Sequence, residues 1–215
     1  MASVDEWIVR EYLESQGFLV RQPRKYQVMA RAKGVHEEVD LLAVNPSART
    51  NGPLPKGRVW SGVELARVPC AIIAIRGWHS GKFTPHMLEK SPDIYRFAQP
   101  DSVRAAQAEL GMPNPAKILC LGDLPAVREQ RAEALAFLKS RGIDGVLLYR
   151  PMLLELAERI DVKKAYDKSD LLQILRILKN YDLLKSGQID LFKMPRRRKA
   201  AARAPDATPK LPSAD

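Results

Sequence analysis

The sequence predicts an α/β protein in which a mixed central β-sheet is flanked by helices and followed by a C-terminal helix and a disordered basic tail. Two nearly continuous apolar runs, Val39–Val44 and Cys70–Ile75, are typical of strands that are covered on both faces. A strand, helix, strand order over Lys117–Tyr149, with Gly142 at the end of the helix, indicates a parallel crossover within one sheet.

The first helix is predicted over Val4–Gln16, because Ser3 is a capping residue with Glu6 three positions later. At 100° per residue, Glu11 falls in the middle of the apolar face of this helix and Glu14 at its edge. That face is predicted to comprise Val4, Trp7, Ile8 and Tyr12. Since an acid among apolar neighbours is costly, Glu11 is a candidate functional residue.

The predicted elements after this helix lead to the second apolar run. An extended segment over Phe18–Arg31 is followed by a strand over Glu37–Asn45. Asn45–Gly57 contains three prolines and two glycines, and it therefore predicts a loop. A short excursion over Val59–Val68 precedes the strand at Cys70–Ile75.

Start and stop residues predict the elements of the second half. Four helices are predicted: one that begins at Thr84-Pro85, one from Asp101 to Gly111, one over Val127–Arg141 and one that begins at Ser169-Asp170. The predicted strands are Lys117–Leu121, Gly145–Tyr149 and a short one at Gln188–Lys193. We divide the chain into an α/β domain at residues 1–160, a helical extension at 161–194 and a tail at 195–215, which lacks aromatic residues and should be disordered.

The charge of the chain indicates an anionic polymer as its partner. The formal net charge is +10, and the last 21 residues contribute +4 of it, from six basic and two acidic residues. The body therefore carries +6, so the positive balance is not confined to the tail. The tail residues that we expect to contact nucleic acid are Arg196, Arg197, Arg198 and Lys199.

Several classes of protein are not indicated. The longest apolar run, Cys70–Ile75, is far shorter than the roughly 20 residues of a membrane helix, and the acidic N-terminus lacks the order of a secretion signal. We expect a cytoplasmic protein without a membrane partner. Cys70 and Cys120 lie in apolar runs and should be buried free thiols, and no cysteine or histidine spacing indicates zinc.

Two motifs resemble those of the PD-(D/E)xK nuclease superfamily. They are Glu38-Val39-Asp40-Leu41-Leu42 after an extended segment, and Gly77-Trp78 after the strand at Cys70–Ile75. The order of elements over Val4–Tyr149 is similar to the restriction endonuclease-like core. In that family the first acid and an acid on the next strand hold Mg²⁺, a lysine two residues further positions the attacking water, and a helix glutamate often completes the site.

Transferred residue by residue, the resemblance implies that Asp40 and Glu11 hold the metal. Ala74 stands where the second acid is expected, and Arg76 stands in the place of the lysine. An arginine stays protonated near neutral pH, so Arg76 is a poor base but a good phosphate clamp. Mg²⁺ needs clustered oxygen ligands, so a site built on two acids should bind it weakly or not at all.

Three functions are therefore compatible with the sequence. The first is a nucleic-acid-binding protein, with DNA favoured over RNA, on a nuclease-like scaffold whose metal-dependent cleavage is weak or lost. The second is an active Mg²⁺-dependent endonuclease in which Glu11, Glu64 and Lys82 replace the missing groups. The third is an assembly subunit without enzymatic activity, which forms a homodimer or binds a protein partner through the 169–185 helix.

Each candidate residue also has a purely structural interpretation. Asp40 and Arg76 are compatible with a salt bridge at a strand end, Trp78 with core packing rather than base stacking, and the 169–185 helix with packing on the core.

Overall fold

The structure is a computed structural model that describes residues 3–23, 39–49, 52–79 and 81–184. The predicted strand at Gln188–Lys193 and the basic tail with Arg196–Lys199 lie outside these residues, as does most of the segment predicted to be extended before Val39.

A mixed six-stranded sheet forms the centre of the molecule, which confirms the predicted α/β class. The strands are β1 (Leu19–Arg21), β2 (Leu41–Val44), β3 (Arg58–Val59), β4 (Cys70–Arg76), β5 (Ala116–Leu121) and β6 (Gly145–Leu148). They lie in the order β1-β2-β4-β5-β6-β3. β2 is antiparallel to both of its neighbours, whereas the pairs β4–β5, β5–β6 and β6–β3 are parallel.

Helices cover both faces of this sheet. They are α1 (Val4–Ser15), α2 (Gly62–Leu65), α3 (Pro85–Lys90), α4 (Pro100–Leu110), α5 (Arg128–Ser140), α6 (Tyr149–Arg159) and α7 (Asp170–Asn180), with two short 3₁₀ helices at Pro92–Ile94 and Arg96–Ala98. Apolar residues of α1, α6 and α7 share one core with the sheet, and those of α3, α4 and α5 share the other. No helix of the described residues is long and apolar enough to cross a membrane.

The first helix forms as predicted, but it buries a different face. Ser3 and Glu6 make the reciprocal hydrogen bonds of a capping box. The buried residues are Val9, Tyr12 and Leu13, whereas Val4 and Trp7 are 68% and 47% exposed. The predicted apolar face is therefore wrong in part. Glu11 lies 200° around the helix from Val9 at 100° per residue, and so on the side away from the core.

The helix α6 was not predicted from the sequence. β6 ends at Leu148, and α6 starts at the next residue, so the chain turns from strand to helix without a loop. Pro151 is compatible with this helix, because a proline in the first turn removes no hydrogen bond: that N–H has no partner within the helix.

The excursion before β4 closes one edge of the sheet. β3 pairs with β6, and α2 follows it with Ser61 as its cap. The ring of Trp60 lies directly against Gly145, where an added Cβ would come within 2.1 Å of a ring atom. Gly145 is therefore required for this contact.

The C-terminal helix packs on the core, as one of the two interpretations predicted. Leu175 is buried, and Leu171 and Leu172 pack against the core that α1 shares with the sheet. Its other face leaves Ile174 and Ile177 exposed.

Candidate functional site

The parallel strands β4, β5 and β6 end at the same edge of the sheet, which we call the carboxyl edge. β2 is antiparallel to β4, so its first residues lie there too. In sheets of this type, ligands bind beyond the carboxyl ends of the strands. The described segments that follow the strands at this edge are residues 77–79 and 81–84 after β4, residues 122–127 after β5 and the start of α6 after β6.

Asp40 continues the hydrogen-bond ladder beyond the end of β2. Its N–H donates to the Ile73 carbonyl at 2.9 Å, and its Oδ2 accepts from the Ile75 N–H at 2.7 Å. The residue is buried. The carboxylate thus satisfies a backbone donor of β4 that β2 no longer reaches.

Arg76, the last residue of β4, pairs with this carboxylate. Its Nη1 lies 2.9 Å from Asp40 Oδ2 and 2.8 Å from the Ile75 carbonyl oxygen. The two side chains are only 19% and 10% exposed. The structural interpretation of these two residues, a salt bridge at a strand end, is therefore present in the molecule.

Ala74 lies on β4 between the two residues whose backbone groups bond to Asp40. The Asp40 N–H donates to the Ile73 carbonyl, and its Oδ2 accepts from the Ile75 N–H. Ala74 is completely buried. The position at which the resemblance places a second metal-binding acid thus holds a methyl group.

A second acid does reach the carboxyl edge, and it is Asp5 rather than Glu11. Asp5 Oδ1 lies 2.9 Å from His79 Nε2. A Cβ on Gly77 would lie 2.0 Å from Asp5 Oδ2, so only glycine permits this approach. Asp5 precedes Val9 by one helical turn and lies on the buried face of α1, which is the signal that could have identified it.

Tyr149 closes the site from the start of α6. Its ring meets the His79 imidazole edge-on, with 4.7 Å between the centroids. The hydroxyl is buried near Asp5, but it makes no hydrogen bond of good geometry within the described residues. Burial raises the pKa of Tyr149 far above its ordinary value, and neighbouring negative charge, including Asp5 and Asp40, raises it further.

Cys120 lies on β5, close to Asp40 and Tyr149. It is a buried free thiol, as is Cys70, which agrees with the prediction for both. Burial raises the pKa of Cys120, and the charge of Asp40 adds to the effect. A thiol that stays protonated is a poor nucleophile, so Cys120 has a packing role.

Trp78 has one ring face packed and the other side of the residue exposed. Its ring is stacked on Phe83 with 5.5 Å between centroids and 10° between the planes. Phe83 is completely buried, whereas Trp78 is 48% exposed. The prediction that Trp78 packs against the core thus holds for one side of the indole only.

Glu11 and Glu14 lie in a different part of the molecule. Both line a groove of about 290 Å³ between α1 and the start of α7, which Asp40 does not line. Glu14 pairs with Arg10 at 2.8 Å. The structure therefore does not bring the predicted helix acids to the carboxyl edge.

Glu64 forms part of the N-terminal capping box of α2. Its Oε2 accepts from the Ser61 N–H at 2.8 Å and from the Ser61 hydroxyl at 2.7 Å. Burial acts to raise the pKa of Glu64, but the hydrogen bonds from Ser61 outweigh it and leave that pKa below the ordinary value.

Three exposed cations lie at the carboxyl edge, each in a segment that follows a strand. Lys82 precedes the buried Phe83, Arg128 begins α5, and Arg150 is the second residue of α6. Two exposed acids share this edge: Asp123, whose Oδ1 accepts from the Leu124 N–H, and Glu129 in the first turn of α5.

Within the part of the chain that the structure describes, no three histidine, cysteine, aspartate or glutamate side chains are grouped so as to hold a metal ion. No protein-family model, curated protein or solved structure matches this chain.

Proposed function

We propose that this chain binds nucleic acid on a PD-(D/E)xK nuclease-like scaffold and that its metal-dependent cleavage is weak or lost. The observation that carries the proposal is the ion pair between Arg76 and Asp40. Under the resemblance these two positions belong to the water-positioning lysine and the first metal acid. Here the Arg76 guanidinium neutralises the Asp40 carboxylate and takes the place of a metal ion beside it.

The arrangement of the sheet supports the nuclease-like scaffold. A helix is followed by β1, β2 and β4 in antiparallel succession, and then by two parallel strands with a helix before each. This is the order of elements on which the resemblance rests, with β3 and α2 inserted between its second and third strands. The β5–α5–β6 crossover agrees with the predicted parallel unit.

The donors at the carboxyl edge fit Mg²⁺ poorly. Asp40 Oδ2 already accepts from Ile75 and Arg76, and Ala74 offers no oxygen. Asp5 also reaches this edge, but its carboxylate faces His79. Mg²⁺ requires nearly octahedral oxygen ligands and gives up its water reluctantly, so this set should hold it weakly or not at all.

Positive charge at the same edge supports phosphate binding. Lys82, Arg128 and Arg150 project from separate segments, and the whole chain carries +10. If these three cations each neutralise one phosphate, the logarithm of affinity should fall with a slope of about −2.7 against the logarithm of salt concentration. Raising salt from 50 to 200 mM would then weaken binding about 40-fold. DNA is the favoured partner.

The test is fluorescence anisotropy with labelled DNA and RNA over this salt range. Lys82→Ala combined with Arg150→Ala should weaken binding and flatten the salt dependence. The matched control removes the same charge from two exposed lysines in the loop beyond α6, Lys163→Ala with Lys164→Ala. Absence of binding to any nucleic acid at low salt overturns the proposal, and equal losses in both double variants overturn the assignment to the carboxyl edge.

The alternative of an active endonuclease with relocated residues has less support. It needs Glu11 or Glu64 to supply the missing acid, and these residues line another groove and cap α2. Lys82 remains its candidate for the missing lysine.

A second candidate function, self-association, is favoured by the outer face of α7. Ile174 and Ile177 are exposed there, and Tyr181 follows one turn later, 71% exposed. Exposed apolar residues that are contiguous on a helix are typical of interaction sites. Light scattering of the intact chain and of Ile177→Glu tests it: a dimer that the variant converts to a monomer supports it, and a monomer in both contradicts it.

A further inference from the structure

We infer that Trp78 is a stacking platform for an unpaired base, so that this chain prefers single-stranded nucleic acid to duplex. This role rests on the proposed function and adds a substrate class to it. The starting observation is a half-exposed indole stacked on the completely buried ring of Phe83 at the carboxyl edge. An exposed aromatic ring supported from behind gives a base a flat surface on which to stack.

The main chain on both sides of Trp78 is held in place. Arg76 precedes it by two residues and is fixed by Asp40, and His79 follows it and is paired with Asp5. The Trp78 carbonyl lies so close to Gly122 that an added Cβ would stand 3.0 Å from it. The main chain that carries the ring is therefore positioned before a ligand binds, and preorganisation of this kind favours affinity.

Charges beside the ring suit a nucleic-acid strand rather than an apolar protein surface. His79 and Lys82 follow it in the sequence and are exposed, and Arg128 and Arg150 lie on the neighbouring segments of the same edge. Cations that contact the backbone, together with an aromatic ring that contacts a base, are the combination that single-strand binding requires.

Stacking distinguishes single strands from duplex. The faces of paired bases are covered by their neighbours inside a duplex, so a protein ring reaches them only at an end or after unstacking. Bases of a single strand expose their faces. The cations bind phosphates of either form, so only the contribution of Trp78 should depend on strandedness.

The experiment compares three probes of equal length: a 15-mer of thymidylate and a 15-mer of abasic sites, which have the same number of phosphates, and a 15-base-pair duplex, which has about twice as many. Anisotropy should show that the wild-type chain binds the thymidylate strand more tightly than the abasic one. Trp78→Ala should weaken binding to the thymidylate strand about 5- to 150-fold and change duplex binding less than 3-fold. Trp78→Phe should retain most of the affinity, since its ring also stacks.

Trp7→Ala is the matched control, because Trp7 is equally exposed but lines the groove beside α7. It should change no affinity. Equal affinity of the wild-type chain for the thymidylate and abasic strands overturns the inference without use of any variant. Equal losses on strand and duplex in Trp78→Ala, or no loss, overturn it too and leave nucleic-acid binding itself intact. Failure to bind all three probes at low salt overturns the proposed function as well.

Discussion

The pair between Arg76 and Asp40 allows a quantitative test by a double-mutant cycle. Arg76→Met retains most of the side-chain volume but removes the positive charge from the buried Asp40 carboxylate, to which the Ile75 N–H still donates. Removal of one partner of a buried pair costs about 3–5 kcal/mol. Since the two side chains are 19% and 10% exposed, we take the lower end, about 3 kcal/mol.

The other two variants complete the cycle. Asp40→Asn keeps an oxygen that can accept from Ile75, and it leaves Arg76 its bond to the Ile75 carbonyl, so its cost should be about 2 kcal/mol. In the double variant neither charge is left unpaired, and we expect about 2 kcal/mol rather than the sum of about 5. The coupling energy should therefore be about 3 kcal/mol.

Urea unfolding followed by circular dichroism measures these free energies. Arg76→Met alone should also lower the melting temperature by roughly 6–12 °C for a domain of this size. The matched control is the exposed pair of Asp101 and Arg104, whose side chains are 69% and 74% exposed. Its cycle, Asp101→Asn with Arg104→Met, should give less than about 0.5 kcal/mol. A coupling that small for Asp40 and Arg76 would refute the assignment of a buried pair.

Three further predictions concern the same edge. Asp40→Asn should leave nucleic-acid affinity within about 3-fold of wild type. If the wild-type chain cleaves nucleic acid in Mg²⁺ or Mn²⁺ and the variant still does, the cleaving site lies elsewhere. Ala74→Glu with Arg76→Lys should create a cation site next to Asp40, seen as Mn²⁺-dependent thermal stabilisation that Ala74→Gln with Arg76→Lys lacks; equal stabilisation in both variants would show that a carboxylate at position 74 does not reach the cation. Gly77→Ala should displace the Asp5 carboxylate and destabilise the fold by about 1 kcal/mol, and Asp5→Ala should relieve most of that cost; unfolding curves that show no relief would contradict the close approach.

The sequence predicted those elements whose signals are local. The capping box of Ser3 and Glu6, the two buried strand runs and the crossover around Gly142 each depend on residues close in sequence, and each is present. The face of α1 was harder to predict, because Val4, Trp7 and Ile8 form an apolar stripe as plausible as the one that is buried. Which stripe meets the sheet depends on distant partners, such as the Glu155 carboxylate that accepts from the Tyr12 hydroxyl at 3.0 Å.

The candidate site, too, was predicted where its signals are local and not where it depends on long-range contacts. The resemblance indicated Asp40, Ala74 and Arg76; Asp40 bonds to the residues on both sides of Ala74 and pairs with Arg76. Whether Arg76 points towards the acid or away from it depends on side-chain packing, which a sequence pattern does not record. Asp5 and His79 are 74 residues apart and meet only because α1 crosses the end of β4, so no local signal connected them.

The two outermost strands of the sheet are short. β1 has three residues and β3 has two, whereas β4 at the centre has seven. Long unpaired strand edges are the places where sheets of separate molecules join and begin to aggregate. Since β3 covers the side of β6 and Trp60 seals it against Gly145, this side of the sheet offers little backbone to a strand from another copy. The short excursion before β4 thus leaves little strand edge open to a second copy of the chain.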